Sequence, residues 1–479
     1  MAEPAALSPS SAGRPTVRTL GFATVALALL IAWLPLQTPL ALIVFQYGHA
    51  ETLARAMLLA KDVFSVVLIA YFFARYWRRL RFYWFDWAAL AYVALVGVYS
   101  TVPWLLGSHI SLVAVSASAR ELLVPVELYA LGRLAVAAGA DARFLVWWFL
   151  AVAALAAAFT VFVFFFMPAT FWSSTLDLVT FVRVVQGLPN VHTLWDLSMI
   201  ARFGEGAWAA FPRAVGPFTQ PVGTGHYFVL PLVLAVALFY QLINQGRRLP
   251  AAATAIFGLF MAAAVVTPIS RGSWMAAGLA VLVSSLIYRR RAFLGVAALV
   301  ALVALLAVPS ARYSMTSFFS GTDASSQDHF SAIDKGLTTV LQNPLGLGVG
   351  QSDQFGQVLT SGEGAGAGVG ENIFIVLLAS VGPLGCLAFA AWMSGLLWHL
   401  AVIRHRAPPP SWMVVGSGAA LVGYIAAAML SPALMRFTTS ASVWLVIGLC
   451  VGLVLASQHS TEEPDALAGG ASAPASSAS

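Results

Sequence analysis

Charge is what this chain lacks most. Only 9% of its 479 residues are Asp, Glu, Lys or Arg, against roughly a quarter in a soluble protein. With 60% hydrophobic residues, this composition excludes a soluble globule. Repeated apolar runs of roughly 20 residues mark a polytopic membrane protein instead. Cysteine is nearly absent as well. Cys386 and Cys450 both lie inside apolar runs, which points to neither a disulfide framework nor a metal site. Met1 to Thr19 lacks the compact pattern of a cleavable signal peptide. The glycine-rich stretch before Glu371 lacks the Gly-Lys-Ser/Thr of a Walker loop, and no strand–helix–strand context surrounds it. The formal charge of +6 is no argument for nucleic acid, because its meaning depends on where the arginines fall.

The apolar runs predict an all-α polytopic membrane protein of about 12 transmembrane helices. They fall near 20–45, 53–75, 85–103, 109–136, 144–167, 214–243, 250–268, 271–288, 293–309, 371–400, 413–430 and 433–456. The first is long enough to hide a break at Pro35 or Pro39. Alternate loops hold Arg14 and Arg18, Arg75 to Arg81, Arg133 and Arg143, Arg247 and Arg248, Arg289 to Arg291, and Arg404 with Arg406. This is the positive-inside pattern, with both termini cytoplasmic.

The expected organisation follows. Residues 1–19 form a cytoplasmic tail, 20–167 a first helix group and 168–213 a periplasmic loop. Residues 214–309 form a second helix group, 310–370 a large periplasmic loop and 371–456 the C-terminal helices. The Ala/Ser-rich 457–479 is a disordered cytoplasmic tail. The protein is thus expected to be multi-pass, with both long loops outside, in the periplasm if the cell is Gram-negative.

Outward turns normally carry little positive charge, so Arg183, Arg202, Arg213, Arg271, Arg312 and Arg436 stand out. Arg213, Arg271 and Arg436 abut the outer ends of spans. One such arginine could simply snorkel to lipid headgroups. Three at one boundary suit a shared anionic ligand, since guanidinium presents a planar fork of donors to phosphate. "RAVGPFTQPVGTGHYF" adds glycines and prolines at the start of a span, where backbone can approach a ligand closely or merely begin a helix. The stretch "NPLGLGVGQSDQFGQVLTSGEGAGAGVG" could form an anion nest, a flap or a linker. Glu371 and Asn372 open the following span. The carboxylate there either favours the helix N-terminus or serves as a general base beside the arginines.

Taken together, "RAVGPFTQPVGTG", "SRGSW" and "NPLGLGVG" followed by "ENIFIVLLASVGPLG" resemble the O-antigen ligase and O-antigen polymerase superfamily. The motifs span about 210 to 390, and the topology spans the chain. The resemblance implies a glycosyltransferase of the bacterial inner membrane. No cofactor is expected, and the outward acids show no ligand cluster of recognisable spacing, so none of them is expected to hold a metal. Its donor would be an undecaprenyl-pyrophosphate-linked glycan, and its acceptor another glycan or lipid A-core. Membrane lipid and other polysaccharide-assembly proteins are further implied partners; nucleic acid is not. By position, Arg213 and Arg271 match the arginines thought to hold the pyrophosphate. Ligases usually show His-Asn where this chain has Glu371-Asn372, which favours a polymerase of O-antigen or exopolysaccharide with Glu371 as base. The arginine common before the Asn-Pro-Leu turn is missing, with His329 or Lys335 nearest. Asn372, Arg436, Arg183, Arg202, His226 and His329 complete the expected substrate-binding set, His226 and His329 also being reserve bases.

Two rivals remain at this level. A metal-dependent membrane glycosyltransferase would want acidic ligands in the first outer loop, which offers only Glu51 and His49. A transporter or flippase could use Lys61, Asp62, Arg120, Glu121 and Glu127 inside early spans. Adjacent residues on a helix do not face each other, so their partners must come from other helices.

Overall fold

A computed structural model describes residues 20–105, 110–168, 171–187, 200–202, 210–289, 324–351, 372–403, 411–431, 434–435 and 437–468, with a few isolated positions between them. Long apolar runs become helices. They are α1 (Phe22–Gly48), α2 (Glu51–Tyr76), α3 (Trp84–Tyr99), a short α4 (Val102–Leu105), α5 (Leu112–Ala137) and α6 (Ala142–Phe166). After α7 (Leu178–Val184) come α8 (Pro221–Asn244), α9 (Arg248–Val266), α10 (Arg271–Ile287) and α11 (Ala324–Gln342). The chain closes with α12 (Ile373–Ile403), α13 (Ser411–Ala427) and α14 (Phe437–Ala468). Every expected span coincides with a helix except 293–309, which lies outside the described residues. Among the described residues, 7 helices are long and apolar enough to cross a membrane, and the apolar α10 and α13 are shorter. This is a polytopic membrane protein.

Four details depart from expectation, one being that α14 extends to Ala468, into the stretch expected to be a disordered tail. The chain is not purely helical: β1 (Ile200–Arg202) and β2 (Ala210–Pro212) pair antiparallel, with Ala201 opposite Phe211. The extended backbone there satisfies its polar groups across the pair rather than along a helix. The first span is not broken, since α1 runs continuously through Pro35 and Pro39. The long segments at 168–213 and 310–370 also contain helix, α7 and α11 respectively.

Charges inside spans are answered mostly across helices. Lys61 departs from expectation, since it lies 3.8 Å from the neighbouring Asp62 and donates to the Leu58 carbonyl within α2. Arg120 of α5 pairs with Asp62 of α2 at 2.9 Å, and the Ser65 hydroxyl of α2 donates to Glu127 of α5 at 2.7 Å. At the other end of α5, Arg133 pairs with Asp86 of α3, and the Tyr129 hydroxyl donates to the same carboxylate at 3.1 Å. The desolvation of each charge is thereby offset by a partner.

Helix α12 is interrupted rather than straight. Gly382 takes φ 66° and ψ −178°, and Pro383 follows it. Proline has no N–H, so the carbonyl of Ala379 loses its partner within the helix. The Leu347 amide replaces it at 2.7 Å. The stretch Asn343–Gly350 is therefore wedged into the break. Tyr99 holds it there, its hydroxyl donating to the Leu345 carbonyl at 2.7 Å and its own carbonyl accepting from Val349 at 3.0 Å. This part of the glycine-rich segment packs as a strut and is neither a nest nor a flap.

Helices α5 and α14 touch backbone to backbone. A Cβ on Gly132 would lie 2.4 Å from the Leu445 carbonyl oxygen, and one on Gly448 would lie 2.3 Å from that of Tyr129. Small residues at such crossings let packing, rather than the hydrophobic effect, join helices in a bilayer. Gly132→Val should therefore cost about 1–3 kcal/mol or more by overpacking, read as a fall in the thermal midpoint in detergent. Gly97, with nothing within 4 Å of a built Cβ, should accept alanine without loss. Equal midpoints for the two variants would contradict this crossing.

Candidate functional site

One end of the bundle gathers the starts of α8, α10 and α12 and the ends of α9 and α13. Its centre is the turn between α9 and α10. Thr267 and Pro268 end one helix; Ile269, at φ 49°, reverses the chain; and Ser270 caps the next. The Ser270 hydroxyl accepts from the Ser273 amide at 3.5 Å, and the Ser273 hydroxyl donates to the Ser270 carbonyl at 2.8 Å. A left-handed backbone is costly for a β-branched residue and persists only where its surroundings hold it.

Arg213 supplies that hold. Its Nε donates to the Pro268 carbonyl at 2.8 Å, and the next amide, Ala214, donates to the Thr267 carbonyl at 3.2 Å. The segment entering α8 is thus stitched to the turn that presents Arg271, the first residue of α10. Both arginines are half-buried. The structure brings the two expected arginines to one turn.

The walls are close-packed. A Cβ on Gly225 of α8 would lie 2.5 Å from the Ser273 hydroxyl oxygen, and one on Gly272 would lie 3.3 Å from the His226 ring and 3.8 Å from Ser431. His226 is buried, and its Nδ1 lies 2.7 Å from the Val222 carbonyl. The His226 carbonyl accepts from the Tyr424 hydroxyl at 2.6 Å, while that hydroxyl accepts from the Leu230 amide at 3.2 Å. Tyr424 thus inserts between two backbone groups of α8 one turn apart. Thr267 and Ser431 bury hydroxyls without a hydrogen-bond partner among the described residues, so each can serve a ligand oxygen.

Asn372 acts as a helix cap. Its Oδ1 accepts from the amides of Phe374 at 3.0 Å and Ile375 at 3.2 Å, and its Nδ2 donates to the Met429 carbonyl at 3.1 Å. The Ile373 amide donates to Ala428 at 3.0 Å. These bonds tie the start of α12 to the end of α13, two residues from Ser431. Glu371 and Arg436 lie outside the described residues, as does the 293–309 span. So do the side chains of Arg202, on β1, and His329, on α11.

Arg183 is exposed on α7. That helix borders the Arg213 segment, since Val215 shares a buried cluster with Phe181 and Val182. Lys335 is exposed on α11. Sequence reasoning missed Tyr424 and Ser431, because single hydroxyls in an apolar run carry no pattern of their own. Among the described residues, no group of three His, Cys, Asp or Glu side chains is placed to hold a metal ion.

Residues 256–390 match the family model described as O-Antigen ligase. The similarity to O-antigen ligases is confined to that stretch, less than half of the chain. This match begins within α9, takes in the Arg271 turn and ends just past the break in α12. It leaves out Arg213, His226 and Tyr424, which the fold brings to the domain from either side. No curated protein matches the chain.

The capping role of Asn372 is directly testable. Asn372→Ala should lower stability by about 0.5–2 kcal/mol, whereas Asn372→Asp should keep most of the cap. Thermal unfolding in detergent distinguishes the two. Equal loss in both variants would mean that the Nδ2 bond to Met429, not the cap, carries the stabilisation.

Proposed function

We propose that the protein transfers or polymerises glycan carried on undecaprenyl pyrophosphate, at the outer face of the inner membrane. The observation that carries this reading is the joining of Arg213 and Arg271 at one turn. Two guanidinium groups at a membrane boundary suit a lipid-linked pyrophosphate, because each can present paired donors to phosphate oxygens. The positive-inside pattern supports the outer side.

In this mechanism the acceptor sugar hydroxyl attacks the anomeric carbon of the donor. The new C–O bond forms as the bond to pyrophosphate breaks, and undecaprenyl pyrophosphate departs with the electron pair. Negative charge grows on the leaving phosphate, where fixed arginines stabilise it most. Glu371 takes the hydroxyl proton. Its neighbour Asn372 is tied to Met429, near the Ser431 that faces Gly272, and this supports a carboxylate close to the arginines. The metal-free reading rests on the same charge argument: two guanidinium groups do the work a divalent ion would otherwise do.

We favour a polymerase, because Glu371 stands where ligases carry histidine. The matched family's description supports a second reading, a ligase, whose acceptor would then be lipid A-core. Purified protein given lipid-linked repeat units alone, or with lipid A-core, separates these by product size. The transporter reading draws less support, since Lys61 and Arg120 both pair with Asp62 and Glu127 accepts from Ser65.

Arg271→Ala should abolish product while leaving the protein folded in the membrane, and Arg271→Lys should rescue poorly because ammonium lacks the fork. Full activity in Arg271→Ala would overturn the proposal. Glu371→Gln should reduce turnover by about 10²–10⁴-fold, as expected for loss of a general base. Turnover should survive EDTA; loss restored by Mg²⁺ or Mn²⁺ would instead favour a metal-dependent enzyme.

A further inference from the structure

Helix α11 lies in the segment that sequence reasoning treats as a polar loop, yet its surface divides into three sectors. One sector is buried against α12: Ile333 and Val340 pack on Ile375 and Ala379, within the first two turns of α12. A second sector is apolar and exposed. Phe330 is 60% exposed, Leu337 48% and Leu341 80%. At about 100° per residue, these three fall within roughly 40° of one another. The third sector is polar and exposed, with Ser331, Lys335, Thr338 and Gln342 on it.

An apolar stripe left exposed beside a polar one needs an occupant. The stripe does not end with the helix. Leu345, in the strut that follows, is 76% exposed, and Leu384 and Leu387 of the spanning helix α12 are 64% and 66% exposed. Those two α12 residues lie just past the break into which the strut is wedged. On three elements that pack against one another, α11, the strut and α12, exposed leucines thus run in succession. The lower part of that run lies on a helix apolar and long enough to cross a membrane, so it faces lipid chains. The polar sector of α11 marks where the chains give way to water. A helix with one packed, one lipid-facing and one water-facing sector suits the bilayer boundary.

We propose that α11 lies in the membrane interface at the site end of the bundle, with the Phe330–Leu337–Leu341 stripe seated among the acyl chains of the bilayer. The partner is the bilayer lipid itself. This seating fixes the height of α11. It thereby anchors the Asn343–Gly350 strut, whose Leu347 amide serves the broken backbone of α12 two turns below Asn372. The inference does not depend on the glycan-transfer reading, because it concerns only what touches this face.

The test is lipid contact in proteoliposomes. In a Cys386→Ala/Cys450→Ala background, Leu341→Cys, Leu337→Cys and Thr338→Cys are each labelled with the fluorophore NBD. Labels at Leu341 and Leu337 should emit to the blue and be quenched by lipids carrying a shallow doxyl group, but not by aqueous iodide. The label at Thr338 should show the reverse. Iodide quenching at all three positions would overturn the proposal. Protection of Leu341 and Leu337 from both quenchers would do so as well, because it would mean a protein partner or a second copy covers the stripe.

A second measurement needs no substitution. The native protein is reconstituted with a lipid carrying a photoactivatable diazirine in its acyl chain, and adducts are mapped by mass spectrometry. Adducts at Phe330, Leu337 or Leu341 are expected. Adducts on α12 at Leu384 and Leu387 with none on α11 would contradict the placement.

Discussion

Inside a bilayer, every backbone N–H and C=O must find its partner within the protein, because water is absent and each orphan costs several kcal/mol. The irregular stretches at the site end of this molecule all follow from that constraint. The Thr267–Ser270 turn has its carbonyls answered by Arg213 and Ala214. The break at Pro383 is answered by Leu347. The start of α12 is answered by Ala428 and by the Asn372 side chain. Each repair brings a segment from elsewhere in the chain to the same end, so satisfying the backbone also assembles the candidate site. Irregular backbone at membrane depth is tolerated where it is buried in protein or lines a cavity. Here it frames two arginines.

The same economy appears in side chains that serve two elements at once. Arg213, half-buried, fixes through its Nε edge the turn that leads into Arg271. Tyr424 joins α13 to α8 at the backbone of His226, and Gly423 beside it lets α13 approach α10, where a Cβ would lie 2.2 Å from the Ala276 carbonyl oxygen. The site is held by helices in direct contact, which is the condition for charges to act without reorganising during a reaction. The strain at Ile269 belongs to the same picture. It is carried by the bonds that fix the turn, and it sets the direction in which α10 departs.

Much of this was legible in the sequence, for identifiable reasons. Helix positions followed from apolar runs, because bilayer thickness imposes a length that few other structures share. Arg213 and Arg271 were legible as a pair because they break a charge rule that most outward turns obey. The resemblance to the O-antigen ligase superfamily agrees with the domain matched at residues 256–390. What could not be read were contacts between distant segments. Nothing local distinguishes Tyr424 from any tyrosine in an apolar run, and Asn372 read as a substrate-binding residue, whereas the structure makes it a helix cap. The Asn343–Gly350 glycines suggested a mobile or anion-binding loop; only the break at Gly382, far along the chain, makes them a strut. The lipid-facing stripe of α11 was hidden because its three apolar residues are spread over a segment that is polar on average.

The central claim is that Arg213 and Arg271 act on one anionic ligand as a unit. A double-mutant cycle on the binding of undecaprenyl pyrophosphate tests it most directly, with dissociation constants measured in nanodiscs for wild type, Arg213→Ala, Arg271→Ala and the double variant. Each single change should weaken binding by about tenfold or more, equivalent to about 1.4 kcal/mol. The double change should cost clearly less than the sum, because removing either arginine already disrupts what the other contributes. Unchanged binding in both single variants, or strictly additive losses, would contradict the account.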